Sequence, residues 1–288
     1  MFCPDEYVSQ NHLKILLRME EVAVSVLRKY IAAFYARQRR AWEQQHAQLI
    51  TLTKDDSNLD FKDGYQLRIA LREESDKQFA EQIHALVERA EEIYKQDVQN
   101  FPNIHFDHHL YQPLLVDDER IEMTPSGLNE GEKKFVADLR TYLHKHKQEF
   151  EGKEFFLLRN LTRGKGIGFF EASDGEAFYP DFILWVIENG QQWVAFIDPH
   201  GLRYARGGFS DPKIRLHKEL KSLESKLQSH CSRWKAHLTS FIISTSAYDE
   251  IRKTLGTGLH TKEEFEKEHV MFQEDSDYIE KCLKMILT

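Results

Sequence analysis

Three cysteines in 288 residues, Cys3, Cys231 and Cys282, stand far apart with no Cys-x-x-Cys pair. Such spacing builds neither a disulfide framework nor a zinc ribbon, and it matches a chain kept in a reducing cytoplasm. No apolar run approaches the ~18–20 residues of a membrane span, so no membrane is expected among the partners. The opening Met1-Phe2-Cys3-Pro4-Asp5-Glu6 lacks the basic-then-apolar order of a secretory leader. No Gly-x-x-x-x-Gly-Lys-Ser/Thr phosphate loop occurs, so the sequence holds no P-loop motor. Internal repeats and low-complexity stretches are missing as well. So is an excess of positive charge: the formal net charge is −8. A protein that coats nucleic acid must neutralise phosphates, so any nucleic-acid surface here has to be a local patch.

What is present is an ordinary globular balance, 41% hydrophobic and 30% charged. Residues 1–100 read as a helical hairpin. One helix is expected from about Glu20 to Leu52, through Val22, Val26, Tyr30 and Phe34, and a second from about Gln66 to Val98, through Ile83, Leu86 and Ile93. These helices offer a surface for pairing with a second copy, which the sequence neither requires nor excludes. Residues 101–128 read as a connector. It contains His105, His108 and His109, but no second ligand cluster stands nearby to complete a zinc site.

From residue 129 to 288 the pattern becomes α/β. A helix over about Glu130–Lys147 precedes four short apolar runs, Phe155–Leu158, Ile167–Phe170, Phe182–Ile187 and Trp193–Ile197. Asp211-Pro212 then caps and opens another helix, and a β-rich run spans His237–Thr245. This is an α-β-β-β-α-β order with an extra strand in front, which packs naturally as an α/β sandwich.

Glu188-Asn189-Gly190-Gln191 carries the sharpest local signal. Asn-Gly between two β-rich runs selects a two-residue type I′ hairpin turn. Glu188 then faces Gln191, and counting back along both strands places Asp181 directly opposite Asp198. Opposed residues have Cβ atoms only ~4.5–5.5 Å apart, where two like charges destabilise a sheet. Phe182, Leu184, Val186, Trp193, Ala195 and Ile197 fall on one face, and Ile183, Trp185, Val194 and Phe196 on the other. A hairpin apolar on both faces is covered on both sides. Two carboxylates there call for compensation, which a divalent cation such as Mg²⁺ supplies. The plainer alternative places both acids at frayed strand ends facing water, since Pro180 and Pro199 flank them.

Phe178-Tyr179-Pro180-Asp181-Phe182-Ile183-Leu184-Trp185 followed by Phe196-Ile197-Asp198-Pro199-His200-Gly201 resembles the PD-(D/E)XK nuclease superfamily. It is most similar to the C-terminal region of helicase proteins like the type III restriction subunit. Leu128–Phe135, Phe156–Asn160, Lys165–Phe170 and His109–Leu114 resemble that family's preceding blocks. The resemblance implies a restriction-endonuclease-like sandwich that hydrolyses phosphodiester bonds in DNA with Mg²⁺ or Mn²⁺. It places the chain in restriction or phage defence, beside a helicase or ATPase motor on another subunit or a longer chain. Asp181, Asp198 and the carbonyl of Pro199 would hold the metal, and Glu132 would match the acid of the first helix. The capping box Asn129-x-x-Glu132 accounts for Glu132 equally well. His200 stands where the family has lysine, and an imidazole there could act as a general base. Lys165, Arg203, Arg206 and Lys213 are candidate phosphate-binding cations, with Arg215 a further source of positive charge. The rival expectation is a catalytically inactive module that binds DNA or docks a helicase partner.

Overall fold

The computed structural model describes residues 22–31, 34, 35, 38, 66–88, 90–110, 113–161, 166–170, 177–200, 202, 208–230, 235–254 and 260–288. The chain divides into two compact units, Met1–Thr53 with Gly168–Phe178, and Lys54–Ile167 with Tyr179–Thr288.

In the first unit, residues 22–31 form helix α1, whose Val22, Val26, Leu27 and Tyr30 are exposed. Strands β6 (Phe169–Phe170) and β7 (Ala177–Phe178) of this unit pair with each other as an antiparallel ribbon. The run expected over Ile167–Phe170 thus lies outside the principal sheet, so the strand outside the order is not the one in front.

The second unit begins with a correction. The expected helix over Gln66–Val98 starts as strand β1 (Gln66–Ile69), followed by helices α2 (Glu74–Val87) and α3 (Ala90–Lys95). Alternation explains the strand: Leu67 and Ile69 pair opposite Met123 and Ile121 of β4 (Ile121–Thr124) and pack with Phe79, Ile83, Leu86 and Ile93. A reciprocal capping box between Glu73 and Asp76 then fixes the start of α2. Between them in sequence, β2 (Asn103–Ile104) and β3 (Leu114–Leu115) pair antiparallel. Residues 101–128 do more than connect, because Ile104, Phe106, Leu114, Val116 and Leu128 belong to the main core.

That core lies against a five-stranded mixed sheet. Its members are β5 (Glu154–Arg159), β8 (Phe182–Glu188), β9 (Gln191–His200), β10 (Lys235–Ser244) and β11 (Val270–Phe272), in the spatial order β11-β10-β9-β8-β5. The β5-β8 and β8-β9 pairs are antiparallel, and β9-β10 and β10-β11 are parallel. Helices α4 (Glu130–Lys145) and α8 (Tyr278–Ile286) cover one face, burying Phe135, Val136, Leu139, Ile279 and Leu283 on Phe182, Leu184, Val186, Ala195 and Ile197. Helix α5 (Pro212–His230) links the parallel β9 and β10 and packs along β10. Its buried Ile214 and Leu220 stand apart from the α4 cluster and cover the opposite face. Two short helices, α6 (Tyr248–Thr254) and α7 (Lys262–Lys267), lead into β11. The architecture is a mixed α/β fold with its sheet between helices, and among the described residues no helix is long and apolar enough to cross a membrane.

Candidate functional site: an opposed acid pair at the end of the hairpin

The hairpin register is the one the Asn-Gly turn demands. Asn189 and Gly190 both take positive φ, 48° and 78°, as a type I′ turn requires. Pairing runs from Glu188↔Gln191 to Phe182↔Ile197. Asp181 precedes the first residue of β8, and Asp198 lies inside β9, which continues through Pro199 to His200. Asp198 is no frayed end: it is 4% exposed, and β10 pairs alongside it with Ile242 opposite. Alternation along β9 places Asp198 opposite to Ile197, on the face that α5 covers.

The two carboxyl groups meet. Burial pushes the Asp181 carboxyl far above the usual carboxylate range, and the charge of Asp198 and a hydrogen bond between the pair push it the same way. Glu132 adds to the same field. It is 8% exposed, and burial raises its pKa, with Asp117 and Asp198 contributing, against the opposing pull of Arg159 and the Asn129 amide. Glu132 makes the capping box. Its Oε2 accepts from Asn129 N at 3.0 Å, and Asn129 Oδ1 accepts from Glu132 N at 3.0 Å, so the capping box is real. The same carboxylate's charge also raises the Asp181 pKa. Gln273, itself buried, donates to the Gly131 carbonyl at 2.8 Å and ties this helix start to the segment after β11.

Among the described residues, Lys213 and Arg159 stand against these acids. Lys213 Nζ, from the first turn of α5, lies 3.4 Å from Asp198 Oδ2. The turn is set as expected, with Pro212 opening the helix and Asp211 Oδ1 accepting from Lys213 N at 3.0 Å. Arg215, the neighbouring candidate, is exposed. Arg159 was not singled out from sequence. Its guanidinium donates to the carbonyls of Ser126 (2.7 Å) and Gly127 (3.0 Å) and lies 3.6 Å from Glu132 Oε2. It pulls the pKa values of Glu132 and Asp181 downward. The signal that could have found it is an arginine ending an apolar strand, where a buried charge needs a partner.

The remaining candidates divide. His200 ends β9, exposed, on the same side of the strand as Asp198. Pro199 is buried in the strand opposite Ile243. Lys165, Arg203 and Arg206 lie outside the described residues. The three connector histidines serve the fold: His105 contacts Asp107 at 3.1 Å, His108 Nδ1 bonds the Phe155 carbonyl, and His109 Nε2 accepts from Arg159 N. Among the described residues, no group of three or more His, Cys, Asp or Glu side chains forms a ready metal cage. The acid pair offers two carboxylates, with a main-chain carbonyl beside them. Hard oxygen donors of that kind suit Mg²⁺ or Mn²⁺, which fill their remaining positions with water and phosphate oxygens.

Comparison of the chain with protein-family models, with curated proteins and with solved structures gives no match.

Proposed function

We propose that this chain is a metal-dependent nuclease that hydrolyses phosphodiester bonds in DNA, and that its α/β unit is a sandwich of the restriction-endonuclease kind. One observation carries the reading: Asp181, half-buried, and Asp198, buried, are brought together at the end of an apolar hairpin, with Lys213 3.4 Å from Asp198. Like charges so placed weaken a fold, and a site that binds a cation gives them a use. The fold order α4-β5-β8-β9-α5-β10 supports the same reading, as do the Pro180-Asp181 and Asp198-x-His200 segments.

Asp181, Asp198 and the Pro199 carbonyl hold one or two divalent ions in this proposal. A bound Mg²⁺ or Mn²⁺ supplies a water of lowered pKa and stabilises charge on the scissile phosphate. The chain's own groups do the rest. Lys213 brings a cationic side chain to the acid pair, with His200 standing in the family's lysine position. His200, exposed at the strand end, takes the proton of the attacking water. Glu132, fixed by its capping box and by Arg159, sets the field on Asp181. The resemblance adds the setting: restriction or phage defence, beside a helicase motor.

A second reading is a module that binds DNA or docks a helicase without cutting. The absent motif lysine and the net charge of −8 favour it. Supercoiled plasmid separates the two. Metal-dependent nicking or linearisation that EDTA and Asp198→Ala both abolish supports the nuclease. A folded protein that leaves plasmid, single-stranded DNA and RNA intact with Mg²⁺ and Mn²⁺ supports the docking module.

A further inference from the structure

Asn160 follows β5 and is 7% exposed. Its side-chain Nδ2 donates to the Pro180 carbonyl at 2.9 Å and to the Ile167 carbonyl at 2.7 Å. Its Oδ1 accepts from Ile167 N at 2.9 Å, and its own main-chain N donates to the Asp181 carbonyl at 2.8 Å. The Pro180 carbonyl belongs to the peptide plane entering Asp181, and the Asp181 carbonyl to the plane leaving it. Those two planes define φ and ψ of Asp181, the only soft backbone dihedrals it has. One residue therefore pins the backbone on both sides of the acid.

The position needs such a pin. The β8-β9 ladder ends at Phe182↔Ile197, one residue short of Asp181. Repulsion from Asp198 pushes the acid away from the place where it is useful. The segment that shares the clamp is interlocked with it: a Cβ on Gly166 would lie 1.9 Å from the Leu161 carbonyl oxygen and 2.5 Å from Asn160 Oδ1. The chain passes so close over the carboxamide that only glycine fits.

We infer that Asn160 is a positioning residue of the metal site: it sets the backbone of Asp181 so that the carboxylate meets Asp198, and it fastens Gly166–Ile167 to the same point. This rests on reading Asp181 and Asp198 as metal ligands.

The test is direct binding of Mn²⁺ to the 288-residue chain, read from the electron paramagnetic resonance signal of the free ion, alongside thermal melts. Asn160→Ala weakens Mn²⁺ binding about 10- to 100-fold, the range for groups that orient metal ligands. Asn160→Ser keeps one donor and falls between Ala and wild type, and it decides the matter if the Ala variant does not fold. Ile286→Ala, a core truncation in α8, lowers the melting temperature and leaves Mn²⁺ binding unchanged. Wild-type Mn²⁺ affinity in the folded Asn160 variants overturns the inference, as does an equal loss in Ile286→Ala. Wild-type protein that binds no Mn²⁺, or Asp198→Ala that binds it as well as wild type, overturns the metal-site reading itself and the inference with it.

Discussion

The two ends of the β8–β9 hairpin share one ladder and face opposite electrostatic problems. At the turn, Glu188 bonds Lys153 Nζ at 2.9 Å, and Asn189 and Gly190 take the left-handed conformations their side chains tolerate. Every local preference there agrees with the fold. Seven residues away along each strand, the same register forces Asp181 against Asp198 within an apolar surround, and burial drives the Asp181 proton affinity up. The turn makes the conflict unavoidable, since a slip of one residue would turn every side chain of the strand to the other face. A conflict kept at one end of an otherwise consistent element is the reason the metal site is proposed there.

The strongest way to break this contrast is Asp198→Ala. Removing a ligand of a metal that stabilises transition-state charge by several kcal/mol should lower cleavage about a thousandfold. In EDTA the variant should melt close to wild type, because without metal the raised Asp181 carboxyl keeps its proton and only one hydrogen bond, about 0.5–1.5 kcal/mol, has gone. A large drop in melting temperature, as for a core truncation, would make the acid end structural and end the comparison. Lys213→Ala should follow at about 10- to 100-fold in plasmid cleavage, with Lys213→Arg retaining part of the rate, because the cation acts through the ligand Asp198. Equal rates for Lys213→Ala and wild type would move the necessary cation elsewhere.

What could be read in advance follows the range of the forces. The Asn189-Gly190 turn, both faces of the hairpin and the Asp211-Pro212 helix start are local patterns, and they stand where the sequence places them. Strand β1 escaped because Gln66-Leu67-Arg68-Ile69 is short, lies before a helix, and finds its partner in Ile121–Thr124, over fifty residues on. Glu132 left a choice between cap and acid; the structure shows the cap, and the same charge raises the Asp181 pKa. Among the charged candidates, only the packing of α5 selects Lys213 over Arg215. Arg159 and Asn160 were hidden for a further reason. Their partners are main-chain groups of Ser126, Gly127, Ile167 and Pro180, and a backbone carbonyl leaves no mark in a sequence.

The grip on α5 can be tested by acid. His217 of α5 stacks on His269, centroids 4.1 Å apart and planes 9° from parallel. Their Nδ1 atoms bond the carbonyls of Ile214 and Ser240. Burial lowers the His269 pKa to about 4, with His217 adding repulsion. The unfolded value is ~6.5, so the unfolded chain binds the proton more tightly. The contribution to stability is therefore fully present above about pH 6.5 and is lost as pH falls through 4. Urea midpoints between pH 7 and 4 should fall more steeply for wild type than for His269→Asn, by about 1–2 kcal/mol. Asn suits the φ of 60° at this position. Parallel pH profiles would show that His269 is not held neutral. Because α5 carries Lys213, the same acid limb should reach cleavage at the acid end.

The smallest effects belong to the turn. Gly190→Ala places a Cβ in open space, with nothing within 4 Å, so its cost is that of a left-handed residue alone, about 1–2 kcal/mol. Glu188→Gln loosens the half-exposed pair with Lys153 and should cost at most about 1 kcal/mol. Neither should change plasmid cleavage by more than about twofold, because distant, unshared sites act independently. β8 is also registered against β5 through six pairs, and β9 against β10 through ten, so a weakened turn has two other strands to hold the ladder. If Gly190→Ala lowers cleavage tenfold in a protein that still melts cooperatively, the register at Asp181 and Asp198 depends on the turn after all. The hairpin would then have one working end and one controlling end.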